Sequence, residues 1–180
     1  MKLIDALLLQ QPHLLYRDAG GELRPIKTPE DWAARRGLIL AGMEEAMGPL
    51  PERSNPPPMD IQVNSEFSGD GFTRLTISFV PEPGDRLTAN LYLPDGAGSS
   101  DRRPAIIALH PTSPLGKDRL AMPGGAPNRA YADELAQRGY VVLAPDYPSF
   151  GEQANYDFAA DRYISGTMKG IFNHMRCVDL

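Results

Sequence analysis

Residues 104–117, Pro-Ala-Ile-Ile-Ala-Leu-His-Pro-Thr-Ser-Pro-Leu-Gly-Lys, constrain the chain more than any other stretch. Ala105 to Leu109 run apolar without a polar break. A half-buried strand alternates; an unbroken short run suits a strand covered on both faces. Pro111 cannot donate to a sheet ladder, so the strand ends there. The Pro-, Ser- and Gly-rich loop Thr112 to Lys117 then opens at the carboxyl end of what reads as a central parallel strand, where ligands bind in open α/β sheets. A helix is predicted next, capped by Asn128 and running to about Arg138, with Tyr131, Leu135 and Ala132 as its buried stripe and Gly139 closing it. A second unbroken apolar run, Tyr140 to Ala144, is stopped by Pro145. Strand, helix and strand within about 40 residues make one right-handed βαβ unit and a parallel sheet.

Upstream the pattern is antiparallel. Strands are predicted over Ile61 to Phe67, Phe72 to Val80 and Leu87 to Leu93, with Asp70-Gly71 and Pro83-Gly84-Asp85 as hairpin turns. Thr73, Leu75, Ile77 and Phe79 alternate with Arg74, Thr76 and Ser78, which leaves one face wet. Before them, Pro51 to Pro58 reads as a stiff linker. The first residues, 1–28, give little beyond a short amphipathic segment at Leu3 to Leu9 and a turn at Asp18 to Gly21. Thr28, Pro29, Glu30 and Asp31 then carry the signature of a helix start. Trp32, Arg36, Ile39, Leu40, Met43 and Met47 recur at helical spacing and are expected to pack, and Gly48-Pro49 stops the helix. A final helix is predicted from Tyr163 or Ser165 onward, burying Met168, Ile171, Phe172, Met175 and Val178. The expected organisation is a helical extension over 1–50, a proline-rich linker over 51–58, and an α/β domain over 59–180.

Bulk numbers exclude several classes. The 180 residues fit one domain of ordinary size. The net charge is −5 and no basic stripe interrupts it, so neither nucleic acid nor an anionic membrane is an expected partner. Cys177 is the single cysteine, which rules out an internal disulfide and thiolate-rich zinc sites. No stretch approaches transmembrane length. Asp5 interrupts the apolar N-terminus and no small-residue cleavage site follows, so a cytoplasmic location is expected rather than secretion.

The chemistry-bearing motifs are few. Gly116-Lys117 at a strand end invites a phosphate loop, but the required upstream glycine and following Ser or Thr are missing, and Pro111 and Pro114 remove backbone donors. No dinucleotide fingerprint occurs. His13, His110 and His174 are far apart in sequence, and Asp146 with Glu152 makes only a pair of carboxylates, so no metal or other cofactor is expected. No Gly-x-Ser-x-Gly occurs; Ser149 and Ser165 fail that pattern, and Cys177 is mid-helix, so no nucleophile stands out. His110-Pro111-Thr112 occupies the place where a hydrolase offers a backbone N–H to an oxyanion, with Thr112 as the donor because Pro111 has none. His110 could equally do no more than satisfy loop carbonyls, and the residues alone leave both readings open.

Several further pieces are shared with one group of enzymes: Ala-Leu-His-Pro-Thr at 108–112, Gly116-Lys117, Tyr131-Ala132 through Tyr140-Val141, Ala144-Pro145-Asp146-Tyr147, Phe150-Gly151 and Met175-Arg176-x-Val178-Asp179-Leu180. Together they resemble the dienelactone hydrolase and acetyl xylan esterase-like branch of the α/β-hydrolase superfamily, over residues 60–180 and more weakly over Trp32 to Pro51. The resemblance implies an α/β-hydrolase fold with antiparallel first strands and a parallel βαβ part. It implies a serine-dependent carboxylic-ester hydrolase acting on a small-molecule ester, without cofactor. In that superfamily the serine, acid and histidine follow the strand after this final helix. The resemblance therefore places the triad beyond Leu180 and makes residues 1–180 an N-terminal portion that is inactive alone, with self-association through an exposed sheet edge. It carries His110, Pro111 and Thr112 over as the oxyanion side, and Asp146, Tyr147, Phe150 and Gly151 as the mouth of the cleft. The alternatives are a non-catalytic, hydrolase-like binding protein and a peptidase of the same superfamily.

Overall fold

The computed structural model describes residues 14–98, 101–121 and 129–180. The chain divides into two compact units, Met1–Leu50 and Pro51–Leu180. Asn128, the expected helix cap, and Leu3 to Leu9 lie outside the described residues.

In the first unit a two-stranded antiparallel hairpin joins β1 (Leu15–Arg17) to β2 (Leu23–Pro25). Strands of three residues carry too little pattern to be seen in sequence. The turn between them is the expected one: Asp18 Oδ1 accepts from the Gly20 and Glu22 N–H groups, and Gly21 takes φ +82°. Helix α1 (Pro29–Met47) starts as its sequence dictates. Thr28 accepts from the Asp31 N–H at 3.2 Å, Asp31 accepts from the Thr28 N–H at 3.0 Å, and Tyr16 donates to the same carboxylate at 2.8 Å. The expected packing of its apolar residues is not found. No residue of α1 is buried, and Trp32 and Met43 are exposed. Leu38, Ile39 and Leu40 are consecutive, so at 100° per residue they spread around the helix and form no single stripe.

The second unit is a five-stranded sheet in the order β3-β4-β5-β7-β6. Its strands are β3 (Gln62–Ser68), β4 (Phe72–Phe79), β5 (Leu87–Pro94), β6 (Ala105–Ile107) and β7 (Val141–Pro145). Neighbours are antiparallel from β3 through β7, while β6 and β7 are parallel, as the βαβ reading requires. The hairpin glycines Gly71 and Gly84 both take φ +81°. Alternate residues of β7 feed two cores on opposite faces. Val142 and Ala144 pack with Phe72, Tyr92, Leu120 and with Ala132 and Ala136 of α2 (Tyr131–Gln137). Leu143 packs with Ile77, Phe79, Leu87, Ala89 and with Cys177 of α3 (Gly166–Asp179). Burying a side chain such as Val142 fully stabilises by about 1.5–3 kcal/mol.

The run from Ala105 to Leu109 behaves differently from its expectation. Only Ala105–Ile107 form β6, extended by the Ala108 N–H donating to Leu143 O at 2.9 Å. It is an edge strand: Ala105 is exposed and Ile106 and Ile107 are half-buried. The strand covered on both faces is β7. Along α3 the buried face is also rotated from the expected stripe. Val178 is 75% exposed, whereas Lys169, Asn173 and Arg176 are buried. Lys169 Nζ reaches Glu82 and Asp85, each at 2.5 Å; Arg176 donates to the carbonyls of Pro81 and Pro57, each at 2.9 Å. Those partners lie far away in sequence, so periodicity along the helix could not reveal them.

Candidate active site: the loops at the ends of β6 and β7

Two parallel strands end side by side, and the chain leaving each one builds the site. After β7 comes Asp146, fully buried. Its Oδ1 accepts from the Lys117 N–H at 2.8 Å; its Oδ2 accepts from Thr88 Oγ1 at 2.8 Å, Lys117 Nζ at 3.1 Å and the Glu152 N–H at 3.3 Å. Lys117 is itself buried and also pairs with Glu152. Burial works against its ammonium, but Glu152 and Asp146 outweigh that and hold its pKa above the ordinary lysine value.

This knot leaves no room for side chains. Gly116 and Gly151 take φ of +53° and +56°. A Cβ on Gly116 would stand 2.0 Å from Asp146 Oδ1 and 2.7 Å from Gly151 Cα, and one on Gly151 would stand 2.1 Å from the same oxygen. Gly116-Lys117 is therefore a structural clasp, with its glycine set by close approach to a carboxylate rather than to a phosphate. The place expected for Asp146 at the cleft mouth is not the one found, because every acceptor on its carboxylate faces a protein donor inside the fold. Gly151 likewise serves to admit that carboxylate.

His110, at the end of β6, is the second pin. It is buried, and its Nε2 accepts from the Tyr147 N–H at 3.0 Å. A ring nitrogen that accepts carries no proton, so the neutral ring is protonated at Nδ1, which donates to Pro111 O at 2.8 Å. Both nitrogens are spent on backbone. His110 fixes the two loops against each other and has no lone pair left to act as a base toward a substrate. Tyr147 stands edge-on between two imidazoles, with ring centroids 5.0 Å from His110 and 4.8 Å from His174, and Phe150 lies 5.7 Å from His110. His174 Nε2 has no partner among the described residues. Burial pushes the His174 pKa down to about 4.

Above these pins His110, Pro111, Thr112, Tyr147 and Phe150 line a cavity of about 340 Å³. The fold thus brings five of the seven expected site residues to one cavity and leaves Asp146 and Gly151 beneath it. The Thr112 N–H donates to no acceptor among the described residues. Other reactive groups nearby are occupied or inert. Ser149, in the left-handed region at φ +70°, donates to Pro148 O at 2.6 Å, and Ser165 accepts from the Met168 N–H as the cap of α3. Burial pushes the Cys177 thiol up to about 12, far from a thiolate nucleophile. Among the described residues no group of three or more His, Cys, Asp or Glu is placed to hold a metal ion, and no helix is long and apolar enough to cross a membrane. The sequence reading missed Lys117, Glu152 and His174 as members of this cluster. Lys117 carried the one available signal, a lysine beside a glycine that failed the phosphate pattern.

No family model matches the chain, and no curated protein does. Solved structures do. One is a provisionally assigned acetyl xylan esterase from Bacteroides fragilis NCTC 9343, 22% identical, with a TM-score of 0.63 over 98% of this chain and 48% of that one. Another is a glucuronoyl esterase from Solibacter usitatus, 15% identical, with a TM-score of 0.53 over 93% of this chain and 52% of that one. The chain spans about half the length of these structures. At such identities the likeness shows the fold, which is α/β-hydrolase-like.

Proposed function

We propose that residues 51–180 are the oxyanion side of a serine-dependent carboxylic-ester hydrolase, of the dienelactone hydrolase and acetyl xylan esterase-like kind, whose nucleophile comes from a strand outside residues 1–180. Residues 1–50 are then a helical extension of that enzyme. The observation that carries the reading is the Thr112 N–H, without an acceptor among the described residues, on a residue that lines an open cavity at the carboxyl end of the β-sheet. A tetrahedral intermediate needs a donor of this kind, held in place before the reaction. His110 and Tyr147 supply the holding. Pro111, which has no N–H, leaves Thr112 as the donor.

The edge of the sheet supports the second half of the proposal. Among the described residues no strand pairs with the outer side of β6, and Ala105, Ile106 and Ile107 share an apolar groove of about 490 Å³ with Cys177, Val178 and Leu180. A right-handed crossover through α3 sets a further parallel strand beside β6. In this superfamily the strand at that position bears the serine on a sharp turn, and the N–H following the serine completes the oxyanion hole. The substrates we propose are small esters, carbohydrate esters first among them.

The experiment uses the coding sequence read past Leu180, assayed with p-nitrophenyl acetate. Thr112→Ala keeps the backbone donor, so turnover changes little. Thr112→Pro removes it and lowers kcat by roughly 10²–10³. Equal losses for the two variants contradict the backbone role, and a longer chain with no ester turnover contradicts the function.

A further inference from the structure

Helix α1 carries a face that nothing in the described chain covers. Leu40 and Met43 are 40% and 41% exposed, and no residue of the helix is buried. Steps of three and four residues bring Arg36, Gly37, Leu40, Met43 and Glu44 to one side of it. Arg36 and Glu44 make no ion pair or side-chain hydrogen bond among the described residues. They stand about 12 Å apart along the axis, too far to pair within one helix. Gly37 is equally unexplained within the chain. It sits inside the helix, where glycine is less favourable than alanine, yet a Cβ there meets nothing within 4 Å.

The pattern is symmetric about Leu40. Arg36 precedes it by four residues and Glu44 follows by four; Gly37 precedes it by three and Met43 follows by three. A second copy laid antiparallel across the first, with a twofold axis beside Leu40, therefore meets its complement everywhere. Arg36 of each copy faces Glu44 of the other, Met43 of each lies over Gly37 of the other, and the two Leu40 side chains touch. Positive meets negative, and large meets small. A twofold contact must be self-complementary in this way, because both copies offer the same surface. Glycine beneath Met43 also lets the two backbones approach closely.

We propose that α1 is a dimerisation helix, which pairs antiparallel with α1 of a second copy of this chain about Leu40. The proposal does not depend on the ester-hydrolase reading. The open edge of β6 is another route to association, so every chain tested carries Ile106→Lys. Sedimentation equilibrium of that 1–180 chain is expected to show a dimer with a Kd on the order of 10 µM, as suits a contact of this small size. Arg36→Glu and Glu44→Arg each set like charges together and raise the Kd at least about tenfold. Arg36→Glu/Glu44→Arg restores the pairing with the signs exchanged and returns the Kd to within about threefold of the parent. Gly37→Gln favours the helix but fills the space under Met43, so helix content by circular dichroism holds while the Kd rises about tenfold. Leu40→Cys forms an intermolecular disulfide under mild oxidation. Leu38→Cys, about 200° round the helix from Leu40, does not, and the native Cys177 is buried. A monomer at about 100 µM would overturn the proposal and give the face to another segment or another protein. A double reversal as weak as the single ones, or Leu38→Cys cross-linking as fast as Leu40→Cys, would overturn it too.

Discussion

Gly151 shows how few atoms decide the shape of this site. Its φ of +56° lies in the left-handed region, which costs an alanine about 1 kcal/mol. The larger obstacle is Asp146 Oδ1, 2.1 Å from where a Cβ would stand. Gly71 offers a control: its φ is +81°, and a Cβ there meets nothing within 4 Å. Backbone strain acts at both positions, and overlap with a buried carboxylate acts only at Gly151. Gly151→Ala is expected to cost about 2–4 kcal/mol in urea unfolding, and Gly71→Ala about 1–2 kcal/mol. Equal losses would mean that the Asp146 clasp yields easily and is not what sets the loop. Residue-scale chemistry of this kind was only half legible in the sequence. Gly116, Lys117, Asp146 and Gly151 could each be picked out, but not their meeting, because the chain from Lys117 to Asp146 says nothing about where it folds back. The same holds for His110. A histidine at a strand end reads equally as ligand, base or pin, and only the Tyr147 N–H on its Nε2 decides for the pin.

Elements were legible where the pattern is set by one strand's own surroundings. β7 is unbroken because cores cover both of its faces, whereas the wet face expected of β4 is not found: none of its residues is exposed, and Phe72 packs in one core while Ile77 and Phe79 pack in the other. The Thr28 cap of α1 and the glycines at 71, 84 and 139 are local chemistry, and all take the conformations expected of them. Ala105 to Leu109 misled because an apolar run records what a strand is built to meet, not what is beside it. Among the described residues β6 has a partner on one side only. An open, apolar, three-residue edge next to the groove of Val178 and Leu180 is a template for another strand. We expect the 1–180 chain to self-associate at tens of micromolar, roughly, as measured by light scattering. A lysine at Ile106, on the edge strand, should raise the monomer fraction. A monomeric parent chain at that concentration would mean that the edge is protected.

At the scale of the molecule, the second unit has the architecture of an α/β-hydrolase-like sheet, with a cavity whose wall is built by the loops leaving β6 and β7. The wall is rigid: a buried Lys117–Asp146 pair, met by the exposed Glu152, and a buried His110 tie the two loops to backbone, and removing one partner of a buried ion pair is costly. It lacks, among the described residues, any nucleophile paired with a base. His110 has no free nitrogen, the Cys177 thiol is held up at about 12, and Ser149 donates to a carbonyl. The central claim is that these residues provide the oxyanion side of the reaction and not the attack. The direct measurement is intact-mass spectrometry of the 1–180 chain after treatment with a serine-reactive fluorophosphonate. The account predicts an unchanged mass under conditions that label a serine hydrolase to completion. A single stoichiometric adduct that vanishes in His110→Ala would contradict it, because it would reveal an activated serine already inside these residues.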